Sequence, residues 1–182
     1  MSPPSRRTPR LLLRGWRPED LDGLARINAD PEVTRHLGGG RPLTRQETAA
    51  LQARLEREWD EEGFGIWALE SAGELVGLVG LHRHRWFPEE VEVGWRLARE
   101  HWGQGLATEG ARAALDYGFG DLALERVISL IQVENLASRR VAEKLGMRPE
   151  RQLTRVHEET GRPLALVVYS LRREDWSPIS PG

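Results

Sequence analysis

Trp102-Gly103-Gln104-Gly105-Leu106-Ala107 is the stretch on which the reading of this chain turns. It follows Val91-Glu92-Val93-Gly94-Trp95-Arg96-Leu97, which reads as a strand, and precedes a run from Thr108 to about Gly118 that reads as a helix. A turn of small residues at the start of a helix leaves several backbone N–H groups without intrahelical partners. Those groups, with the positive end of the helix dipole, suit a phosphate or pyrophosphate. Glycine allows close approach and backbone angles that other residues avoid. Taken alone, the segment reads first as an ordinary strand-to-helix turn, so its surroundings decide.

Working outward, the chain has 182 residues and no cysteine, which fits one domain with a sizeable core and excludes disulfide and thiol chemistry. Lys+Arg total 26 and Asp+Glu 28, a formal charge of -2 that argues against a general nucleic-acid surface. No apolar run approaches the roughly 20 residues of a membrane span. Met1 to Arg10 lacks the apolar core of a secretory signal. The expectation is a cytoplasmic protein with no membrane or nucleic-acid partner. Residues 1–10, rich in Pro, Ser and Arg, and residues 177–182 read as flexible tails, which leaves 11–176 as the domain.

Leu11 to Trp16 reads as a first strand, and Pro18-Glu19-Asp20 as a helix opening, with proline in the first turn and carboxylates at the positive dipole end. Val33 to Leu37 reads as a short helical piece, and Gly38-Gly39-Gly40 as a loop. Thr44 with Glu47 three residues later makes a capping box for a helix reaching about Glu61. Gly65 to Glu70 and Leu75 to His82 read as a hairpin, and Arg83 to Glu90 as a polar loop carrying Trp86-Phe87-Pro88. Later come a strand at Arg126 to Ile131, a helix from Ala137 to Leu145 stopped by Gly146, and strands at Met147 to His157 and Leu164 to Leu171. The sum is a mixed α/β (α+β) domain of about seven strands and four or so helices.

Three segments, taken in order, carry a resemblance: Val91 to Leu97, Trp102 to Glu109, and Asn135-Leu136-Ala137-Ser138 through Glu143-Lys144-Leu145-Gly146-Met147. Together they resemble the Gcn5-related N-acetyltransferase superfamily, in the branch that includes the bacterial ribosomal-protein N-terminal (alanine/serine) acetyltransferases. Leu11 to Leu21 resembles the opening of that branch and Gly161 to Leu171 its closing strand. The resemblance implies the single-domain acyl-CoA N-acyltransferase fold, acetyl-CoA as cosubstrate and no metal. It places the pyrophosphate at Trp102, Gly103, Gln104, Gly105, Leu106, Ala107 and Thr108, although Trp102 stands where the wider superfamily has Arg or Gln. It implies that the Val91–Leu97 strand splays from its neighbour, so that backbone around Trp95, Arg96 and Leu97 pairs with the pantetheine arm. Asn135 would help organise the cofactor, and Ser138 would protonate the departing thiolate. The tyrosine that many superfamily members use instead falls at Ala142.

Direct attack of an amine on the thioester needs alignment, a base for the ammonium proton and a donor for the oxyanion, for which a backbone N–H near Trp95 is the candidate. Glu92 is the first choice of base. His157 is the second, with the adjacent Glu158, His82 and His84 behind it. Each has a plainer reading: Glu92 as an ion-pair partner, Asn135 and Ser138 as helix-entry caps, and the histidines as packing groups. The acceptor is a primary amine, of a protein N-terminus or of a small molecule. The alternative is a non-catalytic acyl-CoA-binding sensor or assembly module. The resemblance also allows a homodimer, whose interface no sequence feature marks.

Overall fold

Period-two apolar runs separated by glycine turns build a sheet, and amphipathic runs between them build its cover. The computed structural model describes residues 3–84, 86–158 and 160–178. In chain order the elements are β1 (Arg6–Arg7), β2 (Leu12–Arg14), α1 (Asp20–Ala29), α2 (Pro31–Thr34), α3 (Arg45–Glu62), β3 (Ile66–Ser71), β4 (Glu74–His84), β5 (Phe87–Leu97), α4 (Leu106–Asp116), β6 (Arg126–Gln132), α5 (Leu136–Lys144), β7 (Arg148–Val156) and β8 (Pro163–Arg172). The strands form one sheet in the order β1-β2-β3-β4-β5-β6-β8-β7. Every neighbouring pair is antiparallel except β5–β6, which is parallel.

Helices cover both faces. Ala111, Ala114 and Leu115 of α4 and Ala142 of α5 pack with Val79, Val93, Val127 and Val167 in the larger core. On the other face Leu24 of α1 and Leu55 of α3 pack on Ile66 and Leu78. Side chains alternate along a strand. Val91, Val93 and Leu97 join the α4 side, which leaves Glu92, Gly94 and Arg96 facing α1 and α3. The α3 start carries the expected capping box, with Thr44 and Glu47 each bonding the other's backbone.

Two regions differ from expectation. Residues 3–10 are packed against the sheet: Arg6 and Arg7 pair with Leu13 and Leu12, and the Trp67 indole donates to the Pro4 carbonyl at 2.8 Å. Pairing along a sheet edge needs backbone groups rather than an apolar pattern, so composition hid β1. Arg83–Glu90 is strand for most of its length, because β4 runs through His84 and β5 starts at Phe87. Phe87 is covered by the guanidinium groups of Arg151 and Arg155, whose carbons lie 5.6 Å from its ring centre. The expectation of loose ends at Met1–Ser2 and at residues 179–182 lies outside the described residues. Among the described residues, no helix is long and apolar enough to cross a membrane.

A buried ionic cluster fixes α1 on its face of the sheet. Arg14 of β2 donates to Asp20 of α1 at 2.7 Å and to Glu70 of β3 at 2.6 Å. The Arg14 and Asp20 side chains are 7% and 4% exposed, so neither charge has water to fall back on. Hydrogen bonding to Asp20, outweighing desolvation and aided by Glu70, raises the Arg14 pKa above its ordinary range. Removing one member leaves an uncompensated buried charge. Asp20→Ala is therefore expected to lower the unfolding free energy by about 3–5 kcal/mol, measured by urea denaturation. A loss within error of zero would show the cluster to be solvated.

Candidate active site

The parallel ladder between β5 and β6 holds a single registered pair, Glu92↔Ile128. Beyond it the strands part, as the resemblance implied. A continuous ladder would give the Leu130 N–H a β5 carbonyl. Instead it donates to the Glu92 carboxylate oxygen Oε1 at 2.8 Å. The side chain thus satisfies a backbone donor that the split leaves free.

A cavity of about 800 Å³ opens at this split. One wall is the sheet, through Leu78, His82, Glu92, Gly94, Trp95 and Arg96; the opposite wall is α3, through Leu51, Arg54, Leu55 and Glu58. The α2–α3 connection at His36–Gly38 forms the rim, and Ser129–Gln132, Asn135 and Ser138 form the far side. The cavity therefore passes from the helix-covered face toward the split and the start of α5.

Glu92 is 6% exposed, and its second oxygen, Oε2, has no hydrogen-bond partner. Burial pushes its pKa up to about 8, against the smaller opposing pull of the Leu130 N–H. Across the β4–β5 ladder its registered neighbour is His82, with Nε2 3.5 Å from Glu92 Oε2. Burial, and then the charges of His84 and Arg54, lower the His82 pKa to about 4, so the ring is neutral near pH 7. The pair therefore offers a carboxyl that titrates near neutrality beside a neutral imidazole.

The phosphate-side turn has the backbone its glycines allow. Gly103 has φ 72° and Gly105 φ 78°, the left-handed region. The first hydrogen bond of α4 runs from Glu109 N to Gly105 O at 3.0 Å, so the amides just ahead of it lie at the open end of the helix. The Trp102 ring donates from Nε1 to Leu97 O at 3.0 Å, tying this turn to the end of β5. The N-terminal segment clamps the same turn. Arg10 donates to Gln104 O at 2.7 Å and to Glu109 Oε2 at 2.7 Å, while Thr8 donates to Glu109 Oε1 at 2.6 Å. Sequence reasoning missed Arg10, because nothing in a Pro/Arg-rich segment signals where it docks.

Asn135 is the N-cap of α5, accepting from Ser138 N at 3.1 Å, and both residues line the cavity. His157 sits elsewhere. It lies in the β7–β8 turn, 8% exposed, with Nδ1 3.1 Å from Thr160 Oγ1. Its ring packs beneath the glycine loop, where a Cβ built on Gly38 would stand 3.4 Å from Nε2. The structure brings Glu92, Trp95, Arg96, Asn135 and Ser138 to one cavity, whereas His157 supports its rim from behind. Glu158 is exposed. Among the described residues, no group of three or more His, Cys, Asp or Glu side chains is arranged to hold a metal ion.

A parallel pair with one rung, a left-handed glycine turn opening a helix, and a cavity at the split are the arrangement expected of an acyl-coenzyme A-dependent transferase from the resemblance. The comparisons agree. Residues 10–148 match the model of the acetyltransferase (GNAT) domain. The chain is 30% identical over 174 residues to the uncharacterized N-acetyltransferase p20 of Bacillus licheniformis, covering 93% of this chain and 97% of that one. It is 31% identical to the FsC-acetyl coenzyme A-N(2)-transacetylase of Aspergillus fumigatus, over 95% of this chain and 78% of that protein. An acetyltransferase (GNAT family) from Bacillus anthracis superposes with a TM-score of 0.81 at 26% identity, covering 93% of this chain and 99% of that one. The chain belongs to the GNAT acetyltransferase family, whose common activity is acetyl transfer from acetyl-CoA.

The buried carboxyl has a thermodynamic consequence. The Glu92 pKa in the fold, about 8, lies above its ordinary value of 4.5. Its stabilising contribution is complete below the unfolded pKa and is lost as pH rises through the folded one. The stability advantage of the parent protein over Glu92→Gln is expected to shrink between pH 4.5 and 8 and to level off above that. Denaturation curves of both proteins across this range check it. Parallel pH profiles would mean that Glu92 ionises normally.

Proposed function

We propose that this chain transfers the acetyl group of acetyl-CoA to a primary amine by direct attack, with Glu92 as base and Ser138 as the acid for the leaving thiolate. The observation that carries this reading is the place of Glu92: a buried carboxyl at the only rung of the β5–β6 ladder, facing a cavity and titrating near neutrality. A base works best when its pKa lies near the working pH.

In the proposed reaction the pyrophosphate rests on the turn from Trp102 to Thr108, and the pantetheine arm enters between β5 and β6 beside the backbone of Trp95, Arg96 and Leu97. The ammonium form of the acceptor gives a proton to Glu92. The amine lone pair attacks the thioester carbonyl carbon, the C–N bond forms, and the oxygen gains charge beside a backbone N–H of the opened strand. Collapse restores the carbonyl and breaks the C–S bond. Ser138 protonates the sulfur and regains a proton from the new amide nitrogen, and Glu92 then releases the proton it took to solvent. The neutral His82 ring beside Glu92 adds no positive charge that would hold the carboxylate ionised and weaken it as a base.

Candidate acceptors are small-molecule amines and protein N-termini, the latter suggested by the resemblance to the ribosomal-protein branch. Asn135 keeps its capping bond to Ser138 N in this scheme, so it orients the acid rather than reacting.

Three measurements test the proposal. Calorimetric titration of the parent with acetyl-CoA is expected to saturate in the micromolar range, while Gly105→Val, which forces a β-branched residue into φ 78°, weakens that affinity by about tenfold or more. Equal affinity in the two proteins would remove the turn as the phosphate cradle. Glu92→Gln is expected to slow amine-dependent coenzyme A release by about 10²–10⁴-fold, with a smaller change in acetyl-CoA affinity and with loss of the activity rise near pH 8 that a Glu92 base predicts for the parent. Unchanged turnover would exclude Glu92 as base. Binding of acetyl-CoA without release of coenzyme A to any amine would make the chain an acyl-CoA-binding module instead.

A further inference from the structure

Three arginines line the cavity, and two of them are neutralised by carboxylates. Arg54 meets Glu58 at 2.5 Å and Arg83 meets Glu62 at 2.9 Å. Arg96 is different. Its Nη1 donates to Asn28 Oδ1 at 2.5 Å, its Nε is enclosed without a partner, and among the described residues no carboxylate lies within ion-pair distance of it. Asn28 is fully buried on α1 and is itself held by Thr48 of α3, with Nδ2 3.3 Å from Thr48 Oγ1. An amide orients a guanidinium but does not neutralise it. Arg96 is half-buried, and a partly desolvated charge without a counter-charge is costly and in native structures has a reason. Here the cost shows as a pKa lowered to about 10, by burial first and by the charge of Arg54 second.

The location gives the reason. Arg96 shares the α1–α3 face of β5 with Glu92, Gly94 lies between them, and all three line the same cavity. The proposed base and the uncompensated cation are therefore two ends of one surface, four residues apart on one strand. Arginine presents a planar fork of donors that matches a carboxylate, and among the described residues this fork makes a hydrogen bond only through Nη1. Arg54 adds a second guanidinium close enough to depress Arg96.

Resting on the proposed N-acetyltransferase reading, we infer that the acceptor is a small primary amine that also bears a carboxylate, held by Arg96 while the amine faces Glu92. Diamines and polyamines are the disfavoured class, since a second ammonium placed as the carboxylate would be would meet the unmatched charge of Arg96. The acidic runs Asp60-Glu61-Glu62 and Glu89-Glu90 do not line the cavity.

The test is coenzyme A release by the full chain with matched acceptors: glycine, glycinamide and ethylenediamine, then the same trio on longer chains. The inference expects an acid in the series to exceed its amide in kcat/KM by about tenfold or more, the scale of a charge-assisted hydrogen-bond pair. In Arg96→Gln that ratio is expected to fall to about one, and in Arg96→Lys to recover in part. A ratio discounts any general loss of activity in the variants. Amides or diamines preferred over acids, or a ratio unmoved by Arg96→Gln, would overturn the inference and leave the acetyltransferase reading intact. If no acceptor in the series turns over, calorimetry of the coenzyme A-saturated protein decides. Acids that bind where amides do not, with the binding lost in Arg96→Gln, support the inference; equal binding overturns it. Absence of acetyl-CoA binding by the parent would instead sink the acetyltransferase reading itself.

Discussion

The rest of the structure depends on one interrupted ladder. Among the described residues β5 and β6 are the only parallel neighbours in the sheet, and they share one registered pair. An open seam in the middle of a sheet exposes backbone donors and acceptors, which ordinarily costs stability unless partners are found. One donor is met by the Glu92 side chain through Leu130 N. The same carboxyl that closes the seam electrostatically also faces the cavity. A structural role and the proposed chemical one thus meet in one residue, and its burial, required by the first, produces the raised pKa that suits the second.

The two sides of the seam have different electrostatic characters. On the α4 side, the proposed phosphate site is mainly backbone: a left-handed glycine turn and the open end of α4, clamped by the Arg10 side chain from the N-terminal segment. On the α1–α3 side charged side chains line the cavity and are arranged by their neighbours. Glu92 is beside a neutral His82, Arg54 is matched by Glu58, and Arg96 is held by Asn28 without being matched. The ionic cluster of Arg14, Asp20 and Glu70 underlies this arrangement, because it seats α1, and α1 carries Asn28.

Local rules made part of this legible in the sequence. The Thr44–Glu47 capping box and the glycine turn before α4 are short-range features, and both stand where the residues put them. The strand bearing Glu92 and the strand leading to Asn135 were legible from alternation, and the split between them was reached only through the family resemblance, since a missing ladder leaves no mark in a single strand's pattern. β1 was not legible, because edge pairing is made by backbone and Arg6–Arg7 has no apolar pattern. Nor was the position of His157, which depends on how the β7–β8 turn folds back onto the Gly38–Gly39 loop. The Arg96 environment was equally hidden. Its isolation is a joint property of β5, α1 and α3, and sequence separation gives no hint that Asn28 rather than a carboxylate would meet it.

The most direct measurement is a crystal structure of the chain with coenzyme A bound. The account predicts the pyrophosphate on the backbone amides between Gln104 and Thr108, the pantetheine arm in the seam between β5 and β6, and the sulfur at the cavity beside Glu92 and Ser138. Coenzyme A bound away from the seam, or strands β5 and β6 zipped together beyond Glu92↔Ile128 with the ligand excluded, would contradict it.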